Sequence, residues 1–230
     1  MRMTRSGSTR VDEAYGRIRR DILSGLYPPG GRLGTIALQQ RYKVSNGLVR
    51  EILPRLVAEG LAVAKPQRGF WVIEVSRDDL RHLTEARVII ETIALRQSIQ
   101  EGDLAWESAL LASHHTLASL DSRRADGSLN SEWLEAHARF HSALLAGGPN
   151  LRLRSLAESL RDVTEVYRCW SRGLGQPAPR DIAAEHRAIM EATLERDANL
   201  AVAELTLHIE KTTKQLLSQL DLTESSSEPA

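Results

Sequence analysis

Four of the seven histidines are spaced so that their imidazole rings could come together. His137 and His141 are four residues apart, so on one helix they would project from the same face. His186 and His208 lie on later segments that are also predicted to be helical. Neutral imidazoles converging from three helices could bind one divalent ion, such as Zn²⁺ or Ni²⁺. On spacing alone, however, such a histidine pair is more often structural than metal-binding.

The segments that must position these rings are all predicted to be helices. Between residues 78 and 221 no run shows convincing strand alternation. Six helices are predicted, near 78–101, 104–120, 130–147, 150–173, 180–196 and 198–220. The residues that separate them favour helix ends, namely Gly102, Asp126-Gly127, Gly147-Gly148-Pro149, the run from Gly173 to Pro179, and Asp197. We therefore expect an all-α domain over 77–222 and a disordered polar tail over 223–230.

A second pattern of chemically useful residues begins at Ser45, whose hydroxyl can cap the N-terminus of a helix. The helix that follows has an apolar face made by Leu48, Ile52, Leu53, Leu56 and Val57. Its other faces carry Asn46, Gly47, Arg50 and Arg55. A short helix with one buried face and exposed Asn and Arg near its start can enter the major groove of DNA.

The segments around Ser45 predict a winged helix-turn-helix. Two helices precede it, over 11–24 and 35–42, and Gly60 ends the third. Pro54 should cause a kink or a local loosening in this third helix, but no break. Two short β-type runs follow, 61–65 and 70–75, joined by a turn whose tip presents Gln67 and Arg68. Three helices plus a hairpin give a DNA-binding domain over 11–76, preceded by a flexible arm over 1–10.

Charge and composition separate the two parts of the chain. Residues 1–77 contain 14 Lys and Arg against 6 Asp and Glu, whereas residues 78–230 contain 16 against 24. This asymmetry suggests that only the first third faces a polyanion. The single cysteine, Cys169, excludes an intrachain disulfide and suits a reducing compartment. No apolar run approaches the length of a membrane span and no signal-peptide pattern is present, so we expect a cytoplasmic protein without a membrane partner.

These patterns resemble the GntR family of bacterial transcriptional regulators. In the N-terminal part the resemblance rests on Pro29-Gly30, Leu33, Val44-Ser45, Arg50-Glu51, Leu56, Glu59-Gly60-Leu61 and Gly69. The C-terminal part is similar to the all-helical FCD domain of the FadR-type branch, through Glu85-Ala86-Arg87, Glu91, Phe140-His141, Asn150, Glu185-His186 and His208. The resemblance implies a mostly α protein, with a winged helix joined to a bundle of six or seven helices. It also implies a homodimer that binds a palindromic operator, as repressor or activator, under the control of a small metabolite.

The DNA-binding residues are predicted from the resemblance and from their positions on the predicted helices and wing. The expected DNA-binding residues are Arg32, Thr35, Ser45, Asn46, Gly47, Arg50, Gln67, Arg68 and Gly69. Arg50 matches the family's recognition arginine. Asn46-Gly47-Leu48 stand where the family usually has Arg, a small residue and Pro. The amide of Asn46 suits adenine rather than guanine, so we expect an operator core that differs from the common half-site.

FCD domains often bind a metal through one Asp and three His, so the resemblance favours the metal interpretation of the histidines. The three family histidines correspond to His141, His186 and His208, and the Asp position is occupied by His137. An imidazole in place of a carboxylate leaves the metal site more positive. Such a site should attract an anionic effector more strongly, and the effector could complete the coordination shell with a carboxylate.

A small carboxylate is therefore the expected effector. Arg87 and Arg168 are candidates for binding its far end, because a guanidinium pairs with a carboxylate in a fork. Tyr167 and Asn150 are further candidates. An ion pair with Glu91 explains Arg87 equally well, and Arg168 could be a surface arginine.

A closer similarity concerns the branch of the family that senses glutarate and 2-hydroxyglutarate. It rests on the pattern from His137 to Phe140-His141 and on Val166-Tyr167-Arg168 followed by Trp170. This similarity implies a short dicarboxylate as effector.

Two other functions are compatible with the histidine pattern. One is a regulator for which the metal ion itself is the signal. The other is a metal-dependent hydrolase, with Glu185 beside His186 as general base. Adjacent helix residues point about 100° apart, so Glu185 should not face the ion that His186 binds. No nucleophile motif or phosphate loop is visible, and an enzyme would not explain the basic winged helix. The sequence therefore predicts a regulator rather than an enzyme.

Overall fold

The computed structural model describes residues 10–123, 130–171 and 180–226. Within these ranges the elements in chain order are α1 Arg10–Leu23, α2 Thr35–Tyr42, α3 Asn46–Ala58, β1 Ala62–Lys65, β2 Gly69–Val72, α4 Arg77–Glu101, α5 Leu104–Ala118, α6 Ser131–Leu144, α7 Leu151–Ser171, α8 Ile182–Leu194 and α9 Ala198–Ser226. The expected fold class, mostly α with one two-stranded hairpin, is confirmed. None of the described helices has the length and apolar composition needed to cross a membrane.

The chain divides into two compact units, of which the first contains α1, α2, α3 and the hairpin. The apolar stripes of the three helices meet in one core, in which Ile18, Leu38 and Leu56 are completely buried. Ser45 is the N-cap of α3, and its Oγ accepts a hydrogen bond from the N–H of Leu48 at 3.3 Å. The helix continues through Pro54 without a break, as predicted.

The predicted apolar face of α3 is slightly rotated in the structure. The buried residues are Val49, Ile52, Leu53 and Leu56, whereas Leu48 and Val57 are only partly buried. α3 packs against α1, α2 and β1. Neighbours on three sides cover a wider stripe than one partner would, and Val49 lies within it.

The wing is an antiparallel hairpin whose register runs from Ala62 opposite Val72 to Lys65 opposite Gly69. Its turn places Gln67 at φ 58° and Gly69 at φ 94°, both in the left-handed region. This conformation favours glycine, and it is uncommon for a residue such as glutamine. Both strands are shorter than the predicted runs 61–65 and 70–75, but the turn lies where the sequence placed it.

The second unit contains α4, α5, α6, α8 and α9, together with α7 up to Arg161. α4 and α8 pack on α9, and α5 packs on α6 and α8. Their buried faces share one core, whose completely buried members include Leu95, Leu110, Phe140, Ile189 and Leu205. All six helices predicted for this part are therefore present among the described residues.

The end of α7 differs from the expected domain boundary. From Asp162 onward this helix belongs to the first unit. Val166 lies in the core of that unit, and Asp162 pairs with Arg19 of α1. The winged helix-turn-helix thus includes a segment far beyond residue 76, because the apolar stripe of α7 contributes to two cores.

The predicted ends of the chain are only partly within the described residues. Residues 1–9 of the expected arm, the turn at Asp126-Gly127, and 227–230 of the expected tail lie outside them. α9 extends through Ser226, so its last four residues overlap the tail that was predicted to begin at residue 223. No glycine or proline stands between 221 and 226, and the helix therefore meets no local stop there.

Candidate functional site

The four histidines of the predicted metal site lie together in the second unit. His137 and His141 project from α6, His186 from α8 and His208 from α9, and all four are buried. One ring nitrogen of each lies within 4.8 Å of the corresponding nitrogens of the other three. The i, i+4 spacing on α6 and the packing of α8 on α9 thus produce a single cluster.

The donor atoms of this cluster fit a divalent ion. The Nε2 atoms of His137 and His141 face each other at 3.2 Å. In a tetrahedral zinc site, with Zn–N distances of about 2.0–2.1 Å, neighbouring nitrogens are roughly 3.3–3.4 Å apart. His141 Nδ1 is buried and has no hydrogen-bond partner among the described residues. Four imidazoles without a carboxylate form a ligand set typical of zinc or nickel rather than magnesium or calcium.

The protonation state of His141 also suits metal binding. Burial holds the pKa of His141 well below its ordinary value, and the neighbouring imidazoles of His137, His208 and His186 lower it further. The guanidinium of Arg161 acts in the same direction. A metal binds the neutral imidazole, so this environment keeps the ring of His141 in its ligating form at neutral pH.

Glu185 lies on the outer side of the cluster. Its Oε2 is 2.9 Å from Nδ1 of His208, a nitrogen of the imidazole ring. It therefore contacts the ring of one of the four histidines. The expectation that Glu185 does not face the ion stays a prediction.

Two arginines share Glu91, the buried Arg87 and the partly buried Arg161. Arg87 Nε lies 2.7 Å from Glu91 Oε1, and both side chains are less than one-tenth exposed. Arg161 Nη1 lies 4.0 Å from Glu91 Oε2, and its Nη2 donates a hydrogen bond to Ser142 Oγ at 3.1 Å. Arg87 was predicted to bind the effector. Arg161 was missed, although its charge acts directly on His141.

The other three residues predicted to bind the effector lie elsewhere. Asn150 is exposed and caps α7, where its Oδ1 accepts hydrogen bonds from the N–H groups of Arg152 and Leu153 at 3.1 and 3.2 Å. Tyr167 and Arg168 belong to the first unit. There the hydroxyl of Tyr167 bonds the backbone of Ser76, and Arg168 pairs with Glu165 at 3.0 Å. Tyr167 and Arg168 thus belong to a different unit from the four histidines.

A cavity of about 360 Å³ opens beside His186. Its wall includes Trp133, whose ring stacks on His137 with the centroids 4.8 Å apart. Five further titratable side chains line it, namely the cationic or basic His114, Arg180 and Arg187 and the acidic Asp121 and Asp181. The volume is at the small end of the range for ligand pockets, about 300–1,000 Å³. None of these lining residues except His186 was predicted from the sequence.

The DNA-binding residues predicted for the first unit lie on α2, α3 and the wing. Asn46, Gly47 and Arg50 are exposed along the first turns of α3. Ser45 is the cap described above and Thr35 begins α2. The remaining predicted residues are exposed in the wing or beside it, namely Arg32, Gln67, Arg68 and Gly69.

Arg55 does not belong to this surface. Its guanidinium lies over the ring of Tyr15, 3.6 Å from the centroid, and pairs with Asp12 and Glu59. It therefore ties α3 to α1.

Comparison with known proteins decides the family. Residues 10–72 match the bacterial regulatory proteins of the gntR family, and residues 82–211 match the FCD domain. The chain belongs to the GntR family and carries an FCD domain. It is accordingly a DNA-binding transcriptional regulator and not an enzyme.

Relatives of known sequence and structure agree with this assignment. The chain is 37% identical over 202 residues to the HTH-type transcriptional regulator BphR of Paraburkholderia xenovorans, and the match covers 87% of this chain and 82% of BphR. It is 30% identical over 200 residues to the HTH-type transcriptional repressor GlaR of Escherichia coli, and that match covers 86% of this chain and 91% of GlaR. Among solved structures, E. coli McbR/YncC has the same fold, with a TM-score of 0.78 at 19% identity over 92% of this chain and 99% of that one.

Proposed function

We propose that this GntR-family protein is a repressor that binds a palindromic operator as a homodimer and is controlled by a small carboxylate. The carboxylate would bind at a divalent metal, most simply zinc and alternatively nickel, held by His137, His141, His186 and His208. The observation that carries the proposal is the cluster of four buried imidazoles with a guanidinium beside it. Because the target is chromosomal DNA, the proposal places the protein in the cytoplasm.

The charge of the site supports an anionic ligand. The ligand set contains no carboxylate, so a bound divalent ion would keep its full positive charge. When bound, such an ion offers a coordination position to a carboxylate oxygen. Arg161 is the arginine best placed for a second carboxylate, because it acts electrostatically on His141 and bonds to Ser142 beside it. A short dicarboxylate would satisfy both groups, as the similarity to the glutarate-sensing branch implies.

Repression, dimerisation and the operator are supported by other observations. GlaR, with 30% identity, is named a transcriptional repressor. A two-fold symmetric dimer would present two copies of α3 and the wing to a palindrome, with half-sites about one helical turn apart or less. Asn46, Gly47 and Arg50 would enter the major groove. Arg68 would contact phosphate or the minor groove from the wing.

The test begins with the metal. Elemental analysis should find about one zinc or nickel per chain in the wild type and much less in the double variant His141→Ala, His186→Ala. A chelator should lower the melting temperature of the wild type only, because a ligand of the native state stabilises it by mass action. Equal metal content in both proteins, or a wild type without metal, would exclude the metal site.

The response to ligand is measured next, on an operator selected from genomic fragments with the purified protein. Fluorescence anisotropy would follow DNA binding with glutarate, with the monocarboxylate valerate, with chelator, and with no addition. Glutarate should weaken operator binding of the metal-loaded protein at least tenfold, and valerate should not. Arg161→Met should keep its metal and lose this response. Release by chelator alone, with no effect of glutarate, would favour the ion as the signal.

A further inference from the structure

An ionic network on the outer side of the histidine cluster joins α8 to α9. Glu185 Oε2 is 2.9 Å from Nδ1 of His208, and Arg180 Nε donates to Glu185 Oε1 at 2.8 Å. Arg180 also donates to the backbone carbonyl of His208 and to Thr212 Oγ1, each at 2.9 Å. The side chains of Arg180, Glu185 and His208 are 11, 12 and 5% exposed, so solvent screens these contacts little.

The network determines which nitrogen of His208 carries the proton. Two guanidinium N–H groups hold Glu185, and Lys211 Nζ approaches its Oε1 to 3.4 Å. A carboxylate that accepts hydrogen bonds from two guanidinium N–H groups is held in its ionised form. An ionised carboxylate can only accept hydrogen bonds. Arg180 Nη2 also lies 3.3 Å from Nδ1 of His208, but its two N–H groups donate to Glu185 Oε2 and to the carbonyl oxygen of His208. Nδ1 therefore donates to Glu185, which makes Nε2 the nitrogen with the lone pair.

We propose that Glu185, held in place by Arg180, is a positioning residue for the metal site. It fixes His208 in the Nδ1–H tautomer, orients its ring, and so presents Nε2 to the ion. This inference rests on the metal site proposed above. Carboxylates that orient metal-binding histidines in this way raise the basicity of the ligand, and their loss typically weakens metal binding about 10- to 100-fold.

A purely structural role for the same contacts makes different predictions. If Glu185 served only to join α8 to α9, its replacement would lower stability and leave the tautomer of His208 and its metal affinity unchanged. Glu185→Gln separates the two roles, because the amide keeps the shape of the side chain. Its NH₂ group can donate to Nδ1 of His208, so the other tautomer is no longer excluded.

The first measurement is zinc affinity of the full-length protein, by competition with a chromogenic chelator. Glu185→Gln should bind one zinc per chain at saturation, as the wild type does, but 10- to 100-fold more weakly. Arg180→Met should also weaken binding, because Glu185 loses its two strongest donors. The matched control is Glu191→Gln, an exposed glutamate on the same helix, which should bind zinc like the wild type. Equal affinities of Glu185→Gln and wild type would overturn the proposal.

The second measurement needs no metal and therefore separates this inference from the proposed function. Nitrogen-15 spectra of histidine-labelled, metal-free protein report the tautomer of each ring, and His208→Gln would assign the signal. His208 should be the Nδ1–H tautomer in the wild type and a mixture in Glu185→Gln. An Nε2–H tautomer, or a mixture already in the wild type, would overturn the tautomer assignment. If the wild type binds no zinc but shows the Nδ1–H tautomer, the metal site is overturned, together with the claim that Glu185 strengthens metal binding. The tautomer assignment would then remain correct.

Discussion

Replacing Arg87 tests whether this arginine stabilises the fold, through its ion pair with Glu91, or binds the effector. Arg87 Nε and Glu91 Oε1 are 2.7 Å apart, and their side chains are 8 and 1% exposed. Replacing Arg87 by Met would leave a buried carboxylate whose nearest remaining cation is Arg161 at 4.0 Å. Breaking a buried pair in this way costs about 3–5 kcal/mol of unfolding free energy. At roughly 2–4 °C per kcal/mol for a chain of this size, the melting temperature should fall by about 6–20 °C.

The assay is thermal unfolding of metal-free protein, followed by circular dichroism, so that metal binding does not contribute. The double variant Arg87→Met, Glu91→Met should recover at least half of the loss, because apolar replacement of a whole buried pair is often close to neutral. The control is Arg81→Met on the same helix. Arg81 pairs with Asp78 at 2.7 Å, but the two are 51 and 83% exposed. An exposed pair contributes at most about 1 kcal/mol.

The opposite result would refute this reasoning. If Arg87 binds the effector and does not stabilise the fold, the melting temperature of Arg87→Met should lie within a degree or two of that of Arg81→Met, and Arg87→Met should lose the response to glutarate. If Arg87→Met, Glu91→Met is no more stable than Arg87→Met, the loss of stability does not come from the unpaired carboxylate of Glu91.

Three further predictions follow from the same structure. Arg50→Ala should cost about 1–3 kcal/mol on the selected operator and relax its sequence preference, and unchanged anisotropy at moderate salt would remove Arg50 from the interface. The pKa of His141 is lower in the folded chain than its ordinary value of 6.5, so the unfolded state binds more protons just below that pH. Metal-free protein should therefore lose stability as the pH falls below about 6.5, and less so in His141→Gln, in melts between pH 5 and 8. Gly102→Ala should lower the melting temperature clearly, because the added Cβ would lie 2.5 Å from the carbonyl oxygen of Ser98 and closer still to Trp106.

Local signals explain why the winged helix could be predicted well. The hydroxyl of Ser45 caps the helix that follows it, and Gly60 adopts φ 74° just after the helix ends. Both effects act within a few residues. Which face of α3 is buried depends instead on elements distant in sequence. Val49 was therefore missed while Ile52 was found.

The division of α7 between two cores shows the limit of periodicity more clearly. The apolar spacing over 150–173 predicted one helix, and one helix is present. Periodicity does not say which core each turn of that helix enters. Val166 packs with the winged helix, and Asp162 reaches Arg19 on α1, 143 positions earlier in the chain. Such a pairing depends on the folded chain and has no local sequence signal.

The arginines of α7 show the same limit at the candidate site. Arg161 and Arg168 are seven residues apart, which is two helical turns, so they lie on similar faces of the helix but roughly 10 Å apart along it. The resemblance to the family indicated this helix and favoured Arg168. The structure groups Arg161 with the histidines and Arg168 with the winged helix. Spacing can determine a face of a helix, but position along the axis is determined by packing. The grouping of the four histidines could be predicted more easily. Two of them are adjacent on one face of α6, and the other two lie on α8 and α9, which pack on each other.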